Sequence, residues 1–467
     1  MIFNSIDFLK FLPIVFMLYW VLSRSGLKIQ NLLILAASYF FYGYWDWRFL
    51  ALILFSTIVD YYAGIGIENA KSVKLKKRFL FLSIGVNIGL LAFFKYFNFF
   101  IDSFIEAFNI AGGSFDPWSL KIILPVGISF YTFQTLSYSI DIYKGKLKPT
   151  KDFIGFAAFV SFFPQLVAGP IERASNLLPQ FFKERKFDYQ NASNGLTLMI
   201  YGFFKKVVIA DRLAPYVNNV FDNYTEYNTP TLIIAAVFFS IQIYCDFSGY
   251  SLIARGISKM FGFDLMVNFN RPYLAANFSE FWKRWHISLS SWFRDYVYIP
   301  LGGNRVSTTR VYLNLMIVFL VSGLWHGANW TFVIWGGLHG LYLILNQLKA
   351  NLKWSTPKIF NIVVVYVMVV LAWIFFRADS IQDAWSYLSR LGAFNFSVST
   401  VALCAEMGII NLVISFGVII LLALSYFLPS NLNMKTLTKY VSLNTALLLL
   451  IYLLGTNEKT EFIYFQF

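Results

Sequence analysis

VYLNLMIVFLVSGLWHGANWTFVIWGGLHGLYLIL, residues 311–345, contains no Asp, Glu, Lys or Arg. An apolar run of about 20 residues is long enough to cross a bilayer as a helix. In lipid no water satisfies a free backbone amide, so the run must be helical. The stretch therefore reads as two spans, 311–328 and 330–347, that meet close to His326. Outward from it, runs of similar length lie at 8–23, 28–45, 48–65, 79–95, 122–142, 195–212, 231–254, 359–376, 408–428 and 442–455. The chain reads as an all-α polytopic membrane protein with about twelve spans plus re-entrant or interfacial helices. Composition agrees, with 58% hydrophobic residues, 13% charged residues and a mean hydropathy of +0.60, values that exclude an ordinary soluble domain.

The formal charge of +14 could suggest nucleic acid, but the placement of the basic residues argues against it. Lys71, Lys74, Lys76, Lys77 and Arg78 share one short loop, and Lys144, Lys146, Lys148 and Lys151 another. Arg24 and Lys28, Arg305 and Arg310, Lys349, Lys353 and Lys358, and Lys435 and Lys439 fall in loops of the same parity. Loops of opposite parity, around Asp46 and Arg48, 102–116 and 377–406, are poorer in Lys and Arg. The positive-inside rule then puts both termini outside the cytoplasm. The same basic loops would also sit against anionic lipid headgroups.

Two segments depart from simple spans. FFPQLVAGPIER (162–173) sets Pro164, Gly169 and Pro170 in an apolar run, which fits a broken or re-entrant element. Between 278 and 296, Phe278, Phe281, Trp282, Trp285, Leu289, Trp292, Phe293 and Tyr296 recur at three- and four-residue steps, as on an amphipathic helix lying along the interface. Asp7 and Lys10 precede the first apolar run and no small-x-small site closes it, so it should remain as a span. Cys245 and Cys404 show no metal or redox spacing and read as packed thiols. One membrane domain is expected over 1–467, with core motifs at 124–346 and an aromatic tail at 456–467.

The chain has three histidines, and His286, His326 and His339 all fall within 286–339. An ionisable group at the depth of His326 marks a pathway, a relay or a reaction site by default, and imidazole accepts protons near neutral pH. Its competing reading is a neutral core histidine bonded across helices. His286 stands between a site role and a structural one among interfacial aromatics and cations, and His339 takes the structural reading. The cluster Trp282, Lys283, Arg284 and Trp285 could hold a phosphate-bearing carrier or a nucleotide thioester, or could be an aromatic belt with snorkelling cations. Asp246 and Asp295 could orient a histidine or pair with Arg255 or Arg294. The tail EFIYFQF either anchors at the interface or brings the Tyr464 hydroxyl into a pocket, where a base would have to activate it.

WHISLSSWFRDYVYIPLGGNR (285–305), SGLWHGANWTFVIWGGLHG (322–340), YCDFSGYSLIARGISKMFGF (244–263), FFPQLVAGPIER and LPVGISFYTFQTLSY (124–138) together resemble the membrane-bound O-acyltransferase family. The likeness is to its bacterial branch, typified by the membrane subunit of alginate O-acetyltransferase. It implies a helical fold around a central tunnel, in the bacterial cytoplasmic membrane, that passes an acyl group from a cytoplasmic thioester to an extracytoplasmic polysaccharide. By matching motif, His326 is the main catalytic histidine, His286 the second, and Tyr464 a candidate acyl relay. Trp325 and Asn329 share the His326 motif and, with Trp282, Lys283, Arg284, Trp285 and Asp295, are the candidate donor contacts. The resemblance implies no tightly bound cofactor and no metal; the donor would be acetyl-CoA or an acyl-carrier protein. The implied partners are membrane lipid, the polysaccharide acceptor, a cytoplasmic acyl carrier and a separate extracytoplasmic acetyltransferase with a serine nucleophile, but no nucleic acid. D-alanyl transfer from a carrier protein, and a non-enzymatic polysaccharide transporter or scaffold, are the alternatives.

Overall fold

A computed structural model describes residues 1–113, 120, 122–166, 169–352, 356–395, 408–425, 437–456 and 462–463. Cys404 and Tyr464 lie outside the described residues. Among the described residues every regular element is a helix, and the chain is an all-α polytopic membrane protein. Among the described residues six helical stretches are long and apolar enough to cross a bilayer: Ile6–Ser25, Leu27–Asn69, Val73–Ile110, Thr229–Met260, Thr308–His326 and Lys358–Arg377. Two local features bear on how the expected spans map onto these stretches. Leu27–Asn69 carries two expected spans in 43 residues, with a 3₁₀ turn at Trp47–Phe49 between them. In the run 122–142 the helix begins only at Ile128, after Pro125 and a left-handed Gly127 at φ 77°.

The chain forms two compact units, Met1–Met199 with Ile253–Met266, and Ile200–Leu252 with Val267–Phe467. In the first, the helices Leu50–Asn69, Val73–Leu91 and Ile128–Tyr143 are tied by a buried carboxylate. Asp60 accepts bonds from the Ser83 hydroxyl at 2.6 Å and from Asn87 Nδ2 at 2.9 Å, and the Thr135 hydroxyl donates to Asn87 Oδ1 at 3.0 Å. Such a satisfied network lets three helices share one polar centre in an apolar unit. The segment 162–173 contains a single helical turn, Phe163–Leu166, as Pro164, Gly169 and Pro170 suggested, and its described residues up to Glu172 are buried.

In the second unit the helices Thr308–His326 and Trp330–Asn351 form a tight hairpin. A Cβ on Gly323 would lie 2.2 Å from the Phe332 carbonyl oxygen, and one on Gly336 would lie 2.2 Å from that of Phe319. Small residues let these backbones touch, which is how helices associate where apolar burial alone gives no drive. Gly336→Ala is therefore expected to force the helices apart at a cost of about 1–3 kcal/mol, as overpacking does. A drop in the unfolding midpoint of the purified protein, with activity falling in parallel, would be the readout.

The segment 278–296 is not one helix along a surface. Phe278–Arg284 and Ile287–Phe293 are separate short helices, Trp285 is extended, and His286 is left-handed at φ 42° and ψ 54°. The Arg284 carbonyl accepts the Asn270 N–H, and the Ile287 N–H donates to the Asn268 carbonyl, both at 2.9 Å. These bonds to the preceding loop replace helical ones and hold the break. The aromatic stripe faces the interior of the unit, where Phe281, Trp285 and Leu289 are buried, rather than a lipid interface.

Candidate active site

His326 is the last residue of its helix, and Gly327 follows in extended conformation. Its ring is 2% exposed and is packed by Trp325 and Trp335, each 4.9 Å away between centroids, and by Phe376 at 5.5 Å. His286, fully buried at the helix break, lies 6.4 Å from His326 and 6.1 Å from Trp325. The two histidines, 40 residues apart in sequence (326 − 286), thus share one aromatic cluster within the second unit.

A residue the motifs did not single out fixes the state of His286. Asn268 Oδ1 accepts the Ser288 backbone N–H at 3.2 Å and the Ser288 hydroxyl at 2.8 Å, while Asn268 Nδ2 donates to Ser251 Oγ at 3.2 Å. A backbone N–H can only donate, so the amide oxygen must point this way. His286 Nδ1 lies 3.2 Å from the same oxygen and must therefore carry the proton, leaving the lone pair on Nε2. Burial lowers the His286 pKa to about 3, so the ring is neutral at ordinary pH and Nε2 is a hydrogen-bond acceptor. Asn268 lies 18 residues upstream (286 − 268), on a loop whose composition announces no function.

The other predicted contacts divide. Trp325 belongs to this cluster, and Trp285 is buried against Trp373 at 5.0 Å. Trp282 packs on His339 at 5.0 Å and Trp335 at 5.8 Å, so His339 belongs to the aromatic layer behind His326. Asn329 caps the helix Trp330–Asn351 by accepting the Thr331 N–H, and its amide donates to the Asp379 carbonyl at 2.9 Å. Arg284 pairs with Glu280 at 2.6 Å, Asp295 pairs with Arg294 at 2.7 Å, and Lys283 is exposed. Asp295 thus takes the arginine rather than a histidine. Asp246 takes neither a histidine nor Arg255; its partner is Lys206 at 2.8 Å. In the tail, Phe462 is fully buried, 5.7 Å from Phe247, whose ring is 4.6 Å edge-on from His286.

Two buried histidines thus pack within one aromatic cluster of a polytopic helical protein. The family profile for membrane-bound O-acyltransferases matches residues 50–382, and the chain belongs to that family. It is similar to a protein named probable alginate O-acetylase from Pseudomonas aeruginosa, 43% identical over 403 residues that cover 84% of this chain and 75% of that one. It is also similar to a Helicobacter pylori peptidoglycan O-acetyltransferase, 37% identical over 428 residues, or 85% and 80% of the two chains. A more distant relative is a Streptococcus thermophilus teichoic acid D-alanyltransferase, 29% identical over 306 residues, 56% of this chain and 69% of that one. The protein is an acyltransferase, and the transporter or scaffold reading is set aside.

Proposed function

We propose that this acyltransferase O-acetylates an extracytoplasmic polysaccharide, drawing the acetyl group from a thioester on the cytoplasmic side of the bacterial inner membrane, with both termini outside. The observation that carries the reading is the pair of buried histidines whose rings lie 6.4 Å apart, one of them held neutral with Nε2 as acceptor. Acetyl rather than D-alanyl is favoured because the two relatives of higher identity are named O-acetylating proteins. The donor would be acetyl-CoA or an acyl-carrier protein, and a separate extracytoplasmic acetyltransferase would serve the final acceptor.

In this scheme His326 removes the proton from an attacking hydroxyl, since a hydroxyl is a poor nucleophile until a base activates it. The hydroxyl is that of Tyr464. Its oxygen attacks the thioester carbonyl, the C–S bond breaks, and the thiolate leaves with the proton that His326 took. In the second half the acceptor hydroxyl attacks the tyrosyl ester, His326 takes its proton, and the phenol is restored. Burial of Phe462 supports the relay, because Phe462 stands two positions before Tyr464 in sequence and packs near Phe247, whose ring is 4.6 Å from that of His286. His286 orients the donor by accepting a hydrogen bond at Nε2. The one N–H of neutral His286 is committed to Asn268, so the ring has no second N–H to offer a developing oxyanion.

Cells fed labelled acetate provide the test. Intact-mass analysis of the purified native chain should find one acetyl group mapped to Tyr464, absent from Tyr464→Phe and from His326→Gln. Polysaccharide acetylation that persists in Tyr464→Phe would remove the relay and leave direct transfer.

A further inference from the structure

Lys206, Asp211 and Asp246 form an ionic cluster inside the second unit. Lys206 Nζ lies 2.7 Å from Asp211 Oδ1 and 2.8 Å from Asp246 Oδ1, with all three side chains at most 3% exposed. Removing ions from water is expensive unless geometry and hydrogen bonding compensate, and ionisable groups at membrane depth mark function by default. One ammonium faces two carboxylates, so Asp211 alone would balance Lys206. Within this cluster Asp246 is the surplus acceptor.

The other oxygen of Asp246 has a partner from the far end of the sequence. Oδ2 accepts the backbone N–H of Ile463 at 2.7 Å. Phe462, fully buried, packs 4.4 Å from Tyr250, and Ile463 is 5% exposed. The approach to this site is fixed as well: the Thr456 hydroxyl donates to the Val207 carbonyl at 3.4 Å, and Arg212 donates to the Leu454 carbonyl. Lys206 and Val207 both belong to the π-helical turn Phe204–Ala210, a distortion often found at functional positions. A chain that merely needed an aromatic end at a lipid interface would not bring it to a carboxylate in the interior.

We propose that Asp246, held in place by Lys206 and Asp211, is a docking site for the chain's own C-terminal segment. Its ligand is a peptide segment presenting one backbone N–H to the carboxylate and one aromatic side chain to Tyr250 and Phe247. Asp246 is then a positioning residue, since it touches the tail and acts on the reaction through what the tail carries. The proposal deepens the tyrosyl-relay reading and rests on it for its consequence, though the docking stands or falls by separate observations.

Ile463→Cys keeps the backbone N–H and serves as reporter in the full-length protein, with alkylation of the introduced thiol read by peptide mass spectrometry. Docking predicts slow alkylation in the folded chain and a rate about 10- to 100-fold higher when Asp246→Asn is added, the range of a lost charge-assisted hydrogen bond. Ile463→Pro removes the backbone donor at that position. It should lower acetyl transfer while the affinity for the donor thioester stays unchanged, and Ile463→Leu should restore transfer. Alkylation of the reporter thiol as fast in the folded as in the unfolded chain, or full transfer by Ile463→Pro where Tyr464→Phe loses it, would overturn the docking. Protection of that thiol together with full activity of Tyr464→Phe would instead remove the relay and leave the docking standing.

Discussion

Replacing His326 by glutamine is expected to lower acyl transfer by about a hundred- to ten-thousandfold, the contribution of one positioned acid–base group. Glutamine is the informative replacement. Trp325, Trp335 and Phe376 pack around the ring, and truncating a large buried side chain to alanine typically costs about 2–5 kcal/mol, which would confuse lost chemistry with lost fold. Glutamine nearly fills the volume and keeps polar atoms, but it cannot accept and return a proton near neutral pH. The measurement is turnover of a labelled acetyl thioester by purified variant and native protein, beside their unfolding midpoints. A variant with native turnover and native midpoint would show that His326 is a satisfied core histidine and not the base.

Much of this was legible in the sequence, and the unread remainder has identifiable causes. His326 could be found because an imidazole amid spans without charge is costly, and scarcity made it visible. Pro164, Gly169 and Pro170 announced the broken segment 162–173, since each restricts helix continuation in a local way. The break at His286 left no such trace. Phe281, Trp285 and Leu289 keep helical spacing across it, because both short helices bury toward the same core, so periodicity reads straight through a turn. At Ile128 the signal was present in Pro125 and Gly127, yet the apolar run around them suggested an earlier helix start. Asn268 and the triad of Lys206, Asp211 and Asp246 depend on residues brought together by the fold. Asp246 had a nearer candidate in Arg255, nine positions on (255 − 246), but its actual partner is 40 positions back (246 − 206).

Asn268 offers the second large effect and separates orientation from packing. Its side-chain oxygen serves His286 Nδ1 and both donors of Ser288, so Asn268→Leu removes the acceptor that sets the tautomer and leaves the Ser288 N–H without it. Orienting partners of a working histidine are worth about ten- to a hundredfold, and kcat/KM for acetyl transfer should fall by that factor. Part of the change would be stability, since an unsatisfied buried donor costs about 1–3 kcal/mol. Asn268→Asp resolves the two. An aspartate preserves an acceptor for every one of those donors but adds a negative charge beside the imidazole, which favours the protonated ring and raises the His286 pKa from its burial-lowered value of about 3. A ring that works as a neutral acceptor is lost as pH falls through its pKa, so the acidic limb of the pH–rate profile should move to higher pH in Asn268→Asp, with activity recovering in alkaline solution. A profile that keeps its native acidic limb while the rate drops uniformly would show that Asn268 supports packing alone and that the protonation state of His286 does not enter the reaction.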